Sequence, residues 1–512
     1  MVEKREAFSN RDRNVFLITA ERGIDRGALI SRYSRTASLD IREVYDKEFA
    51  ANSERGPDFY RRVFSDYGDE SVAELVYAQV GVQGVSNIVS KMMEDLRIGL
   101  SFIEKSSRYV RYDKKVNGKY LYLSPEDTGI SENLQAEYDD LCRDLFTFYS
   151  GCYNKVYEYF EKTNPIQNCA FTNRKDSSEI LYSDLSADEK VLAQKAYASA
   201  VRARALDDIR YILPASTLTN LGISGNARAF IHLVSKMKAT GLNEAGKLAD
   251  DIYNELLPEF PEIINAATSD YGRSNIDFMR ERESFRPNPQ SNQHDNVELI
   301  SFNSEEEELR KIGVAYSIKT GSTSMNKDDV ISFINKQAAM RKNRRNKPPR
   351  EFELPVYNFV ISTNYGAFRD LQRHRMMTII RGFLNPKSGY DIPVSIQHDE
   401  NLLSDFKLLM ERTATLWDKI SAKNGYAIAQ YVIPYAYRYP IYVSINLKEA
   451  CYLTELRSTP QAHFDLRKIS ASIYDSIKAV HPNLSNIFRF VDKTDYPLGR
   501  IFAEFRKEKK TS

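Results

Sequence analysis

Cysteine is scarce, and its spacing forms no motif: Cys142, Cys152, Cys169 and Cys451 include no Cys-x-x-Cys pair, which argues against a thiolate metal site or a disulfide framework. Cys142 and Cys152 fall on apolar positions of a helical pattern, so buried thiols are expected and no metal is. No uncharged apolar run is long enough to cross a bilayer, and Met1 to Asn14 is charged throughout without a signal-peptide core. A cytoplasmic protein without membrane contact is therefore expected. A dinucleotide fingerprint and a phosphate-binding Gly-Lys loop are also missing. Neither sign of charge dominates: 72 Lys and Arg against 70 Asp and Glu leave +2. That balance gives no bulk attraction to nucleic acid or membranes, so any binding rests on local features.

The 512 residues, 42% of them hydrophobic, suffice for two or three cores and at least two domains. A strand is expected at Asn14 to Ala20, a polar turn at Tyr67-Gly-Asp-Glu-Ser-Val-Ala-Glu74, and a strand from Val76 to Val85. Leu134, Tyr138, Leu141, Leu145, Phe148, Cys152, Val156 and Tyr159 recur at threes and fours, which predicts a long amphipathic helix between Ser131 and Lys162. After a polar excursion from Gln167 to Asp188, further helices are expected at Ala229 to Lys236 and Asn243 to Leu257. The polar, proline-broken stretch Glu281 to Asn296 marks the expected boundary between domains 1–285 and 286–512.

Beyond that stretch the pattern returns. Glu74 and Glu351, Leu96 and Arg373, and Ser101 and Thr378 are each 277 positions apart, while Pro214 to Asn226 and Pro434 to Asn446 keep identical spacing 220 positions apart. The strand-like Leu354 to Ile361 answers Val76 to Val85, and Leu402, Phe406, Leu409, Met410, Thr413, Leu416, Trp417 and Ile420 answer the long helix. Two similar α+β units are the economical reading. In the second, Arg373, His374 and Arg375 stand side by side; two guanidinium forks around an imidazole suit a phosphate or an electron-rich ring, although a solvated helix end is the favoured reading of these three residues alone.

The joint pattern resembles the flavin-dependent thymidylate synthases, whose signature is Arg-His-Arg, two residues, Ser, then x-Asn-Glu-x-Ser-x-Arg-Tyr. The second copy has Arg373-His374-Arg375 and Thr378, but Arg381, Phe383, Asn385 and Pro386 where the rest belongs. The first has Leu96, Arg97 and Ile98 for Arg-His-Arg, then Ser101, Glu104, Ser106, Arg108 and Tyr109 in register, with Ile103 for Asn. Downstream, the first keeps Arg210 and has Met237, whereas the second has Gln430 and keeps Leu456-Arg457. The halves are complementary.

The resemblance implies two antiparallel-sheet-and-helix domains, reductive methylation of dUMP to dTMP with methylene-tetrahydrofolate, FAD and NADPH, and a homodimer that mimics the family's tetramer. It implies one composite site, with Arg373, Arg375 and Arg457 from the second copy and Glu104, Ser106, Arg108 and Arg210 from the first. Arg457 would meet the uracil carbonyls, Ser106, Arg108 and Arg210 the nucleotide, and Arg373, His374 and Arg375 the flavin. Ser71, Glu74, Asn226 and Arg228, with Asn446 as a weaker second copy, match flavin-contacting stretches, although Asp69 replaces the family's His. Singly, Ser106 is also a turn hydroxyl, Arg108 a surface cation, Arg210 a helix-end cation and Asn226 a helix cap, and Glu104 also reads as the neutraliser of a neighbouring cation. The basic run Arg341-Lys-Asn-Arg-Arg-Asn-Lys-Pro-Pro-Arg350 stays open between a solvated loop and a phosphate-binding loop, with nucleic acid less favoured. A related flavin and nucleotide enzyme with an altered carbon donor, and a non-catalytic scaffold or nucleic-acid-binding protein reusing the fold, remain alternatives.

Overall fold

The computed structural model describes residues 6–37, 40–171, 180–284, 296–323 and 325–511. The chain is α+β. Its main elements in order are β1 (Tyr77–Ser86), α1 (Asn87–Met93), β2 (Leu100–Glu104), α2 (Glu132–Thr163), α3 (Ala187–Ile209), β3 (Leu218–Asn226), α4 (Ala227–Ala239), α5 (Asn243–Leu256), β4 (Val297–Ser301), β5 (Val356–Asn364), α6 (Tyr365–Leu371), β6 (Thr378–Arg381), α7 (Glu400–Asn424), α8 (Leu447–Arg457), α9 (Phe464–Val480) and α10 (Ile501–Thr511). The succession β1-α1-β2-α2-β3-α4, with α3 added before β3, returns as β5-α6-β6-α7-β7-α8, with β7 at Arg438–Asn446. The repeat seen in the spacing is thus a repeat of structure.

Two compact units form: Met1–Lys105, Tyr122–Ser131 and Ser216–Asn288 in the first, and Ser106–Leu121, Glu132–Ala215 and Pro289–Ser512 in the second. The expected boundary at 285–286 lies outside the described residues. The compact units follow another partition, because α2 and α3 of the first repeat pack within the second unit.

In the first unit β3 lies between β1 and β2 in an antiparallel sheet. The register of β1 slips between Val82 and Val85, where Gly84 takes a φ of 68° that a residue with a Cβ would resist. Ser86 and Asn226 end their strands and cap the following helices by accepting from Val89 N and Ala229 N. The expected strand at Asn14 to Ala20 is reduced to one bridge, Phe8 to Ile18. Val15 and Leu17 are 86% and 68% exposed, so no apolar face drives a longer ladder there.

In the second unit the strand order is β4-β5-β7-β6, all antiparallel. Along β7, Tyr439, Ile441, Val443 and Ile445 are buried and alternate with half-exposed residues, the period expected of a strand with one face on a core. The helix α9 contributes Leu466, Ile469, Ile473 and Ile477 at helical spacing and packs on the sheet. The long helices α2 and α7 lie against each other, and Lys419–Glu137 (2.7 Å), Arg412–Asp144 (2.8 Å) and Lys155–Asp399 (3.0 Å) set them antiparallel. At the corners before β3 and β7 the repeats pair symmetrically: Ala215 N donates to Ile433 O (2.8 Å) and Tyr435 N to Leu213 O (2.9 Å).

The basic run is anchored rather than wholly solvated. Arg341 is buried; its Nη1 donates to Glu455 (2.8 Å) and to the Ile487 carbonyl (2.6 Å), its Nη2 also reaches Glu455, and its Nε donates to the Asn346 carbonyl (2.6 Å). Glu455 is fully buried, so losing its partner leaves an uncompensated charge. Arg341→Ala is expected to lower unfolding free energy by about 3–5 kcal/mol, whereas the joint Arg341→Leu, Glu455→Leu change recovers most of it. Chemical denaturation of both variants measures this.

Candidate active site

The last turn of helix α6 carries Asp370, a buried carboxylate near the negative end of the helix dipole. Such a site is tolerable only among cations. Arg210 Nη1 donates to Asp370 Oδ2 (3.3 Å) and its Nη2 to the Gly366 carbonyl (2.9 Å). Burial works against the Asp370 charge, but Arg210, Arg108, Arg373 and Arg457 together outweigh it and hold the carboxyl far below the usual range.

The chain then turns at 372–377, placing His374 inward while Arg373 and Arg375 stay exposed. Arg457, the last residue of α8, donates from Nε to His374 Nε2 (2.8 Å) and from Nη2 to the Asp370 carbonyl (3.1 Å). A guanidinium only donates, so His374 Nε2 is the acceptor and the ring proton sits on Nδ1, facing Glu449 Oε1 at 3.1 Å. Glu449 lies in the first turn of α8, where Asn446 caps the helix by accepting from Glu449 N. His374 therefore serves to orient Arg457, with both ring nitrogens in use. Nη1 of Arg457 makes no hydrogen bond among the described residues.

From the first repeat, Arg108 grips Asp207 with two bonds, Nε to Oδ1 (2.7 Å) and Nη2 to Oδ2 (2.8 Å). It is no surface cation: its side chain is 12% exposed. Its Nη1 is likewise without a hydrogen bond among the described residues. Burial opposes both charges of the pair, yet their attraction prevails, raising the Arg108 pKa and depressing that of Asp207. Arg500 adds a donor to Asp207 Oδ2 (3.4 Å), and a Cβ at the preceding Gly499 would run into the Pro460 carbonyl. Ser106 is a turn hydroxyl that accepts from Arg108 N (3.3 Å). His463 accepts Asp465 N at Nδ1 (3.2 Å), so its Nε2 proton faces the Asp207 carbonyl at 3.4 Å.

Arg108, Arg210, Asp370, His374 and Arg457 thus belong to one unit of one chain, with Arg373 close enough to act on Asp370. Five guanidiniums act on two aspartates, an excess of positive charge suited to an anion. Ser106, Arg375 and Asn446 also lie in the second unit, whereas Glu104, Ser71, Glu74, Asn226 and Arg228 lie in the first. There Glu104 accepts from the fully buried Lys91 (2.8 Å), which also holds Glu94 (2.6 Å). Arg228 is clasped by Glu74 (2.8 Å) and Glu70 (3.2 Å), Ser71 Oγ donates to Asp69 (2.6 Å), and Asn226 caps α4. Among the described residues no cluster of His, Cys, Asp and Glu is placed to hold a metal ion, and no helix is long and apolar enough to cross a membrane. Burial pushes the Cys152 thiol up to about 12 and Cys169 to about 11, which suits packing rather than attack.

Sequence reasoning missed Asp207, Asp370, Glu449, His463 and Arg500. Asp370 stands three residues before Arg373, and Asp207 three residues before Arg210; these placements are the only signal they left.

An α+β chain whose two repeats jointly build one buried arginine–aspartate cluster defines a duplicated protein. Residues 24–262 and 298–483 match the family model described as thymidylate synthase complementing protein, and the chain belongs to that family. A UPF0159 protein of Thermoplasma acidophilum is 46% identical over 500 residues, covering 95% of this chain and 99% of that protein. UPF0159 proteins of Chlamydia pneumoniae and Chlamydia muridarum are 31% and 32% identical, covering 98% and 99% of this chain and 96% and 98% of theirs.

Burial lowers the His374 pKa, opposed by Glu449 and reinforced by Arg457, and lowers that of His463 well below the usual value. A histidine depressed in the fold takes its proton more readily in the unfolded chain, so its contribution is full above about pH 6.5 and is lost as pH falls. Unfolding free energy is expected to drop on acidification from pH 6.5 to 5, by up to about 1.4 kcal/mol per pH unit for each histidine. His463→Asn should flatten that slope in urea titrations.

Proposed function

We propose that the chain is a flavin-dependent thymidylate synthase that converts dUMP to dTMP with methylene-tetrahydrofolate, FAD and NADPH. The observation that carries this reading is that Arg108 and Arg457, one from each repeat, keep a guanidinium nitrogen uncommitted beside a cluster with excess positive charge. A nucleotide monophosphate is an anion with hydrogen-bond acceptors at both ends, which fits that donor set.

Arg108, oriented by Asp207, would take the phosphate or sugar of the nucleotide. Arg457, fixed through His374 and the Asp370 carbonyl, would donate Nη1 to the uracil and stabilise negative charge as C5 becomes nucleophilic; a donor already held in place gives that stabilisation without reorganising. Arg210 acts through Asp370 as a positioning residue, because two of its nitrogens are committed and its Nε is buried without a partner. The exposed Arg373 and Arg375 suit the phosphates of a flavin dinucleotide, which would supply the hydride relay when bound. The same reading pairs two chains of 58.9 kDa into a homodimer, testable by light scattering.

Purified protein should show a bound-flavin absorbance spectrum and form dTMP. Arg108→Ala and Arg457→Ala should each lower kcat/KM on the order of 10²–10³-fold, as when one transition-state donor is lost. Met237→Leu, at the repeat position of Arg457, should leave turnover unchanged and cost less than about 1.5 kcal/mol. Unchanged turnover in both alanine variants, or failure to bind flavin, would overturn the reading.

A further inference from the structure

A concavity in the second unit takes no part in these contacts. It is open to solvent and has a volume of about 690 Å³, more than a lone phosphate needs and within the range of ligand clefts. Its wall carries three tyrosines, Tyr109, Tyr153 and Tyr157, and three cations, Arg111, Lys114 and Arg202, with no carboxylate.

The parts come from three places. Tyr153 and Tyr157, one helical turn apart on α2, have ring centroids 6.2 Å apart. Arg202 stands on α3, and the segment after Arg108 supplies the rest. Arg111 is committed: its guanidinium lies 3.8 Å over the Tyr153 ring, and it pairs with Asp113. Lys114 and Arg202, both exposed, form no ion pair among the described residues. Two cations on one concave wall repel each other, and an anion between them removes that cost. The rings add flat faces for stacking. Tyr109 is 67% exposed, with Arg500 4.5 Å over its ring, so the concavity begins one residue beyond Arg108.

We propose that this concavity binds a planar ring joined to two or more anionic groups, the ring against the tyrosines and the anions between Lys114 and Arg202. The inference rests on the thymidylate synthase reading only for the source of such a ligand. Two co-substrates of that reaction have this chemistry: the aminobenzoyl-glutamate end of a reduced folate, and the phosphorylated adenosine of the nicotinamide reductant.

Titration calorimetry on the full chain with p-aminobenzoyl-triglutamate, 2′,5′-ADP and ring-free tripolyphosphate separates the cases. One of the first two should bind at least tenfold more tightly than the other and than tripolyphosphate, naming the source. Lys114→Glu with Arg202→Glu should weaken that binding more than tenfold without shifting the thermal midpoint, and Tyr109→Ala should weaken it further. Absence of binding, tripolyphosphate binding as tightly as both ring-bearing probes, or binding unaffected by the charge reversals would each overturn the proposal. None of the probes carries a transferable carbon or hydride, so these outcomes are independent of whether the protein turns over dUMP.

Discussion

Two buried carboxylates, Asp207 and Asp370, allow the rest of the cluster to exist. Burying a guanidinium costs several kcal/mol unless a partner compensates it, and five arginines acting on one region would otherwise repel each other. Asp207 absorbs Arg108 and Arg500, while Asp370 meets Arg210 through its side chain and Arg457 through its backbone. The aspartates do not cancel the arginines; they leave a surplus of positive charge in a fixed geometry. That surplus distinguishes the cluster from a charge-balanced ion-pair core and suits it to an anion.

The seam between repeats explains why one chain can assemble this arrangement. The corners at Leu213–Ala215 and Ile433–Tyr435 exchange equivalent backbone bonds, and the two long helices, α2 and α7, lie antiparallel. Equivalent parts of the repeats therefore face each other across a local two-fold relation. Arg210 leaves one corner and reaches Asp370 on the helix that follows β5. The covalent link between repeats keeps both halves at high effective concentration, so the contact does not depend on protein concentration.

Much of this was legible in the sequence. The threes and fours from Leu134 to Tyr159 and from Leu402 to Ile420 gave both long helices, and the shared spacing gave the duplication. Arg108, Arg210 and Arg457 were found because they sit in short motifs. Their acids were not, because the pairings span 99 residues for Arg108 and Asp207 and 160 for Arg210 and Asp370, and local spacing carries no sign of them. Glu104 shows the opposite problem. It keeps the motif position, but it shares a face of β2 with Leu100, and strand alternation turns it inward to Lys91.

The equivalent positions in the first unit bear on why one complete set survives. Where the second repeat has Asp370, Glu449 and Arg457, the first has Met93, Ala229 and Met237, all buried. Where it has His374, the first has the exposed Arg97. A buried polar network does not erode one residue at a time without penalty: removing Glu449 alone strands the His374 Nδ1 proton, and removing Asp370 alone leaves Arg210 uncompensated. Replacing the whole set by apolar side chains avoids those costs, because methionine fills irregular space without needing a partner. Buried Met93 and Met237 against Asp370 and Arg457 therefore read as two self-consistent solutions at equivalent positions, one packed and one charged. The charged solution requires Arg108 and Arg210 from the other repeat, and selection on either half constrains both.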